Sequence, residues 1–150
     1  MDGFALDIKE PIQVFYFLNT DCPICLKYQG TFKINNTIKG VCFYYVFCGN
    51  QNEETINEYI NYDSISTSSV ILDKELKLFK KLKPTITPQT IILHNGNMVY
   101  SGKIDDRFES LGAYKEKLTE NYVFNTINLL LKNEPIKIHY TKPVGCFIEP

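Results

Sequence analysis

Buried strands are predicted where the chain carries unbroken apolar runs. Residues 12–18 and 41–47 are continuous stretches of mostly β-branched and aromatic side chains. Runs of this length without polar alternation are typical of strands that are covered on both faces of a sheet. A shorter run at 70–73 is predicted as an edge strand. Residues 89–102 are predicted as two antiparallel strands, because the Asn-Gly-Asn turn at 95–97 favours a hairpin.

Helices are predicted between these strands, where apolar side chains recur every three or four residues. The first helix begins at Pro23, which suits a first helical turn, and helical spacing continues as far as Lys33. Two further helices are predicted at 52–60 and 75–83. Asp73 is expected to be the N-cap of the second of these.

The C-terminal part of the chain combines a clear helical pattern with a segment that has none. Residues 119–133 place their apolar side chains on one helical face, and Pro135 ends this helix. A short strand is predicted at 136–140, followed by a tail without periodicity from about residue 141. The order of elements predicts one α/β domain that covers residues 1–150.

Composition and charge exclude several classes of function. The chain has 150 residues, and its 16 basic and 17 acidic side chains leave a formal net charge of −1. This balance provides no field that would attract nucleic acid or anionic lipid. No apolar run reaches the roughly 18 residues of a membrane span, so none is predicted. We expect a monomer, exported or periplasmic if a signal peptide was trimmed and cytoplasmic otherwise.

A Cys-Pro-Ile-Cys motif lies between the first predicted strand and the first predicted helix. This position places Cys22 at a helix N-terminus, where free backbone N–H groups and the helix dipole stabilise a thiolate. The two-residue spacer carries Cys25 one turn further, within disulfide reach and more buried. We therefore expect Cys22 to be the nucleophile and Cys25 the resolving thiol, with no cofactor and no metal required.

The remaining cysteines have less distinctive positions. The chain has five cysteines, an odd number in a domain large enough to form its own core, so a disulfide scaffold is not expected. Cys42 lies within a predicted strand and Cys48 at its end, and both are interpreted as structural. Cys146 follows the last predicted strand, which could return along the sheet edge toward the motif. Two alternatives stay open for Cys146, a third redox thiol and a packed side chain.

A threonine and a proline precede the predicted hairpin, and with them the order of elements resembles the thioredoxin superfamily. The similarity rests on the strand, CxxC motif and helix that begin at residue 12, followed by Thr87-Pro88 before two antiparallel strands. It implies a three-layer fold with a central mixed sheet and helices on both faces. It also implies a cis peptide bond before Pro88, with Thr87 and Pro88 placed against the CxxC motif to contact a bound peptide or thiol.

Two longer segments resemble a narrower branch of that superfamily. YSGKIDDRFESLG at 100–112 and TKPVGCFIEP at 141–150 are similar to the redoxin-domain, peroxiredoxin-like (AhpC/TSA-type) proteins. Sequences of this branch carry a Y-x-G-x-I-D-D-R segment and end in P-V-G-C-x-I, and they often keep only the first cysteine of the pair. Cys25 is therefore a departure from the pattern, and it favours dithiol chemistry in this chain.

The Asp105-Asp106-Arg107 segment is a candidate for substrate binding or tuning at the same site. Antiparallel pairing of the hairpin is expected to carry it to the sheet edge where Cys22 lies. Arg107 is the only arginine among 16 basic residues. A guanidinium near Cys22 would lower the pKa of that thiol or bind a carboxylate. The alternative is an ion pair with Asp105 or Asp106 that fixes a surface loop.

These patterns together predict a thiol-disulfide oxidoreductase whose partner is a protein dithiol or disulfide. One alternative is a copper(I) metallochaperone, in which His94 or His139 would join the two cysteines as a ligand. Another alternative is a weak thiol peroxidase. Phe15 and Asn19 argue against it, because they stand where peroxiredoxins carry a proline and a hydroxyl residue ahead of the reactive cysteine.

Overall fold

The computed structural model describes residues 10–149, and within them the chain forms nine strands and four α-helices. The strands are β1 (Ile12–Leu18), β2 (Val41–Cys48), β3 (Val70–Asp73), β4 (Ile86–Thr87), β5 (Gln89–His94), β6 (Asn97–Gly102), β7 (Phe108–Ser110), β8 (Ala113–Tyr114) and β9 (Cys146–Phe147). The helices are α1 (Pro23–Lys27), α2 (Glu53–Tyr62), α3 (Lys77–Leu82) and α4 (Tyr122–Leu131), and short 3-10 helices cover Lys33–Thr37 and Thr67–Ser69.

The centre of the fold is a five-stranded mixed sheet with the strand order β3-β2-β1-β5-β6. β1 pairs in parallel with β2, and β2 pairs in parallel with β3. β5 runs antiparallel to β1 and forms a hairpin with β6 through Asn95 and Gly96, which both have positive φ angles. The predicted central strand, edge strand and hairpin are confirmed.

Two apolar clusters cover the two faces of the sheet, because successive side chains of a strand point in opposite directions. The even-numbered residues of β1 join the larger cluster, which includes buried side chains of α1, α2 and α4. Phe15 and Phe17 join the smaller cluster together with Leu78 and Leu82 of α3. Helices therefore lie on both faces, as predicted. None of the helices between residues 10 and 149 is long and apolar enough to cross a membrane.

The first helix is shorter than its apolar spacing predicts. α1 ends at Lys27, and the chain then passes through Gly30, whose φ of +92° is left-handed. This conformation interrupts a right-handed helix and is favourable for glycine. The chain continues as a 3-10 helix at Lys33–Thr37, so the prediction of one helix reaching Lys33 was wrong.

The cap of the third helix also differs from the prediction. Leu76 is the N-cap residue of α3 and has a left-handed backbone. The carboxylate of Asp73 nevertheless accepts hydrogen bonds from the backbone N–H groups of Leu78 and Phe79 at 3.1 and 2.8 Å. Asp73 therefore satisfies free donors of the first turn, as a cap does. The prediction was right about the interaction and wrong about the position.

The C-terminal tail makes pairings that its sequence pattern does not predict. Residues 136–140 do not form the predicted strand, although an isolated bridge links Tyr140 to Ser101 of β6. Further on, β9 pairs antiparallel with β4, which places Cys146 opposite Thr87. β7 and β8 form a separate small sheet. Strands of two or three residues are too short to show alternation, so sequence patterns do not reveal them.

Candidate functional site

The CPIC motif lies at the carboxyl end of β1, where the chain turns from the sheet into α1. Cys22 is the N-cap residue of α1 and has an extended backbone. Pro23 occupies the first turn, where a missing N–H removes no helical hydrogen bond. Cys22 is 2% exposed and Cys25 is 0% exposed, so both side chains are buried.

A third cysteine contacts Cys22 from the other end of the chain. The Sγ atoms of Cys22 and Cys146 lie 2.7 Å apart, and the Cys22 Sγ lies 3.4 Å from the carbonyl oxygen of Thr87. Cys146 reaches this position because the pairing of β9 with β4 sets it opposite Thr87. The expectation that the tail returns to the motif is confirmed by this contact. A redox role for Cys146 stays a prediction.

The surroundings of Cys22 favour its thiolate. The largest effect is a hydrogen bond from the Cys25 side chain, and Cys146 and the backbone N–H groups of Cys25 and Ile24 act in the same direction. Burial opposes them, and the net result lowers the pKa of Cys22 to about 5. Donors that point at a sulphur atom stabilise its negative charge. Cys22 is therefore ionised at neutral pH.

Cys25 is held in the opposite protonation state. Burial raises the pKa of the Cys25 thiol well above its usual range, and the neighbouring Cys22 adds to the shift. The Cys25 sulphur accepts a weak hydrogen bond from the backbone N–H of Asn19 at 3.5 Å. The backbone carbonyl of Cys25 accepts a hydrogen bond from the Tyr59 hydroxyl at 2.5 Å, and this bond connects α1 to α2. An ionised outer thiol beside a protonated inner thiol is suited to attack followed by resolution.

The thiols of Cys146 and Cys48 are not activated in this way. Burial raises the pKa of Cys146 to about 11, and its contact with Cys22 contributes to the shift. Burial also raises the pKa of Cys48 to about 12, with a further contribution from Asp73, whose carboxylate lies 3.8 Å from the Cys48 sulphur. Cys48 is therefore protonated at neutral pH, which agrees with its structural interpretation.

Thr87 borders Cys22 and is followed by Pro88, and the family resemblance implies this position for the pair. The peptide bond between them is cis. Thr87 is 4% exposed, and its carbonyl lies against Cys22. The side-chain oxygen of Gln89 accepts hydrogen bonds from the backbone N–H groups of Thr85 and Ile86 at 3.0 and 3.3 Å. These bonds fix the backbone just before the cis peptide bond. A role for Thr87 and Pro88 in contacting a bound peptide or thiol stays a prediction.

The contacts of Arg107 are made with the end of α1 and with its own loop. Its guanidinium donates a hydrogen bond to the Lys27 carbonyl at 2.9 Å, stacks over the Tyr28 ring at 4.5 Å and lies 3.5 Å from the Asp105 carboxylate. Asp105 also accepts a hydrogen bond from the Tyr28 hydroxyl at 2.7 Å. These contacts favour the loop-fixing alternative for Arg107. Substrate binding or tuning by this segment stays a prediction.

Asp106 has a different set of partners from Asp105. Its carboxylate contacts the Thr119 hydroxyl and accepts hydrogen bonds from the backbone N–H of Thr119 at 3.1 Å and from the Lys115 ammonium at 3.0 Å. Although burial acts in the opposite direction, these donors lower the pKa of the Asp106 carboxyl below its usual range. Asp106 therefore anchors the segment that leads into α4.

The two histidines lie apart from the cysteines. His94 pairs with Ile12 at the beginning of β1, so it is at the opposite end of that strand from the CPIC motif. The ring of His139 is hydrogen bonded to the carbonyl of Val99 on β6. Within residues 10–149, no group of three or more His, Cys, Asp or Glu side chains is arranged to hold a metal ion. Neither histidine is placed to complete a copper site with the CPIC motif.

Comparison with known proteins identifies the fold. No family model and no curated protein matches the chain. Among solved structures, it is similar to a hypothetical protein from Sinorhizobium meliloti, with 16% identity, a TM-score of 0.77, and coverage of 93% of this chain and 79% of that one. An uncharacterized conserved protein from Geobacillus kaustophilus has 18% identity and a TM-score of 0.76, covering 94% of this chain and 78% of that one.

A third similar structure has a functional description. The thioredoxin domain of a thiol-disulfide oxidoreductase from Bacteroides vulgatus has 17% identity and a TM-score of 0.51, with coverage of 86% of this chain and 83% of that one. Similarity at these identities shows the fold alone. The chain is thus an α/β protein of the thioredoxin-like fold, with a CxxC motif at the end of its central strand.

Proposed function

We propose that the protein is a thiol-disulfide oxidoreductase of the redoxin-type, peroxiredoxin-like branch, and that it exchanges disulfides with a partner protein through Cys22 and Cys25. The observation that carries this proposal is the placement of two neighbouring thiols at the start of one helix, with Cys22 as its N-cap residue and Cys25 fully buried. The lowered pKa of Cys22 and the raised pKa of Cys25 agree with this placement. In its reduced form, this pair of thiols supplies the two electrons that reduce one disulfide, so the proposed reaction needs no bound cofactor.

In the reducing direction, the Cys22 thiolate attacks one sulphur of a partner disulfide. A mixed disulfide forms, and the other partner sulphur leaves as a thiolate. Cys25 then gives up its proton and attacks the Cys22 sulphur, so that the Cys22–Cys25 disulfide forms and the second partner thiolate leaves. The proton from Cys25 goes to a departing thiolate. Two electrons have then passed from the protein to its partner.

The test compares cysteine variants in the reduction of an unfolded, disulfide-containing protein. Cys22→Ser is expected to abolish activity, because it removes the attacking sulphur. A double variant, Cys25→Ser with Cys146→Ser, keeps the attacker without a neighbouring thiol and should accumulate mixed disulfides on Cys22. Cys42→Ser is the matched control, since Cys42 pairs with Gln13 near the other end of β1. Full activity in Cys22→Ser would contradict the mechanism.

A further inference from the structure

The three clustered thiols differ in their access to solvent. Cys22 is 2% exposed and Cys25 is 0% exposed, so a partner disulfide can reach the Cys22 sulphur only after the residues that cover it are displaced. Cys146 is partly exposed, and the adjacent Phe147 is 79% exposed. The tail therefore lies over Cys22 and carries a cysteine of its own at the surface.

Backbone hydrogen bonds attach the tail to the rest of the fold at two points. Thr141 lies at the end of β6, where its backbone N–H donates a hydrogen bond to the Ser101 carbonyl at 3.1 Å. Beyond it, β9 pairs with β4, and the backbone N–H of Ile148 donates to the Thr85 carbonyl at 3.1 Å. The second attachment consists of a two-residue pairing and its flanking hydrogen bond. Displacing β9 therefore requires breaking this short pairing and the packing of Val144 and Cys146 against the core, while the bonds of Thr141 would still hold the tail near the site.

Gly145 permits the close approach of the tail to β4. A β-carbon at this position would overlap the backbone carbonyl of Thr87 and would meet the Ile86 side chain at 2.9 Å. A larger residue would have to push the tail away, so the register that brings Cys146 to Cys22 depends on glycine here.

We propose that Cys146 is a second resolving thiol, and that the protein forms a Cys22–Cys146 disulfide in exchange with the Cys22–Cys25 disulfide. This inference rests on the proposed function, because both use Cys22 as the shared sulphur. The Cys22 and Cys146 sulphur atoms, 2.7 Å apart, need only a small movement to reach the roughly 2.05 Å of an S–S bond.

The internal exchange conserves atoms and electrons. The Cys146 thiolate attacks the Cys22 sulphur of the Cys22–Cys25 disulfide, the Cys22–Cys146 bond forms, and Cys25 leaves and takes up the proton that Cys146 has released. A partner thiolate then attacks Cys146 and expels Cys22, which is the better leaving group because its pKa is the lower of the two.

The cycle ends with the oxidation of the partner dithiol. A second thiol of the partner attacks the partner sulphur that is bonded to Cys146, so that the partner disulfide forms and Cys146 leaves. Two electrons have then passed from the partner dithiol to Cys22 and Cys146. The chemical class of partner for this step is a protein dithiol that reaches the surface at β9.

The first test oxidises the full chain of the Cys25→Ser variant with glutathione disulfide and maps its disulfides by mass spectrometry without reduction. Cys22 takes up glutathione, and Cys146 is expected to displace it, so that Cys22–Cys146 is the main product. Adding Cys48→Ser should leave this product unchanged, because Cys48 lies against Asp73. Glutathione retained on Cys22 beside a free Cys146 would overturn the proposal.

The second test moves the tail without changing a sulphur atom. In the Cys25→Ser background, Gly145→Ala should lower the yield of the Cys22–Cys146 disulfide several-fold and increase the alkylation rate of Cys22 with a bulky reagent. Gly112→Ala is the matched control, since a β-carbon there meets nothing within 4 Å. Equal yields in the two variants would overturn the proposed placement of Cys146.

The two proposals fail in distinguishable ways. If the wild-type protein reduces disulfides through Cys22 but Cys146 never joins it, the inference about Cys146 fails and the proposed function stands. If the Cys22–Cys146 disulfide forms while Cys22→Ser keeps full reductase activity, the contact of the two thiols is supported and the oxidoreductase mechanism fails.

Discussion

At the scale of single residues, the chemistry of the site depends on three neighbouring thiols that hold their protons unequally. Hydrogen bonds lower the pKa of Cys22 to about 5, whereas burial raises the pKa of Cys25 and brings that of Cys146 to about 11. One negative charge on Cys22 is stabilised by the donors around it. A second charge in the same cluster would be repelled by the first and poorly solvated.

We expect the ultraviolet absorbance of the reduced protein to show one thiolate that titrates near pH 5. The same transition should be absent in Cys22→Ser. An unfolded cysteine titrates near about 8.5, so between these values the unfolded chain holds a proton that the folded chain has released. The free energy of unfolding of the reduced protein should therefore rise with pH through this window. Its Cys22 contribution should be lost as pH falls through about 5.

The Cys22→Ser variant also provides the control for this titration. Its free energy of unfolding should lack the rise that the wild-type protein shows across the same pH window. A transition near pH 5 that keeps its amplitude in Cys22→Ser would assign the low pKa to another group and contradict this account of the site.

At the scale of elements, α1 is short and its end is fixed by the loop before β7. Arg107→Ala removes the hydrogen bond to the Lys27 carbonyl, the contact with the Tyr28 ring and the pair with buried Asp105. We expect the free energy of unfolding in urea to fall by about 2 kcal/mol, because buried polar groups lose their partner. The pKa of Cys22 should not change, since these contacts lie beyond the last residue of the CPIC motif.

Lys74→Ala is the matched control for Arg107→Ala. Lys74 pairs with Glu53 at 3.6 Å on the surface, where both side chains are more than half exposed. Exposed pairs contribute roughly 0–1 kcal/mol, so this variant should unfold almost as the wild type does. An Arg107→Ala protein of unchanged stability with a raised Cys22 pKa would reinstate the tuning hypothesis for Arg107.

The elements that could be predicted from the sequence are those with a period or a diagnostic turn. β1 is a seven-residue run that is apolar except for Gln13, and the hairpin turn has Asn95 and Gly96 at its two left-handed positions. The early end of α1 was not predicted, because the apolar spacing beyond it continues and conceals the left-handed Gly30. The pairing of β4 with β9 involves two residues on each strand, and Gly145 was the one local signal of the close approach.

At the scale of the whole molecule, the topology brings three distant segments to one end of the central strand. The CPIC motif follows β1, Thr87 precedes β5, and Cys146 arrives with the tail. Cys146 is placed there by the pairing of β9 with β4 and not by the predicted strand at 136–140, which does not form. Strand order was enough to predict the position of the CPIC motif. It was not enough for Arg107, because the direction of a long side chain in a loop depends on contacts with Tyr28 and Asp105 that no sequence period encodes.

The central claim is that Cys22 and Cys25 form one two-electron redox couple. Its most direct test equilibrates the wild-type protein in a series of glutathione redox buffers and maps disulfides by mass spectrometry. We predict that a Cys22–Cys25 disulfide forms, and that any other disulfide formed within this cluster of thiols also contains Cys22. Because a stabilised Cys22 thiolate favours the reduced form, the potential should lie above the roughly −270 mV of a reducing thioredoxin. If no Cys22–Cys25 disulfide forms in any buffer of the series, the result contradicts the account.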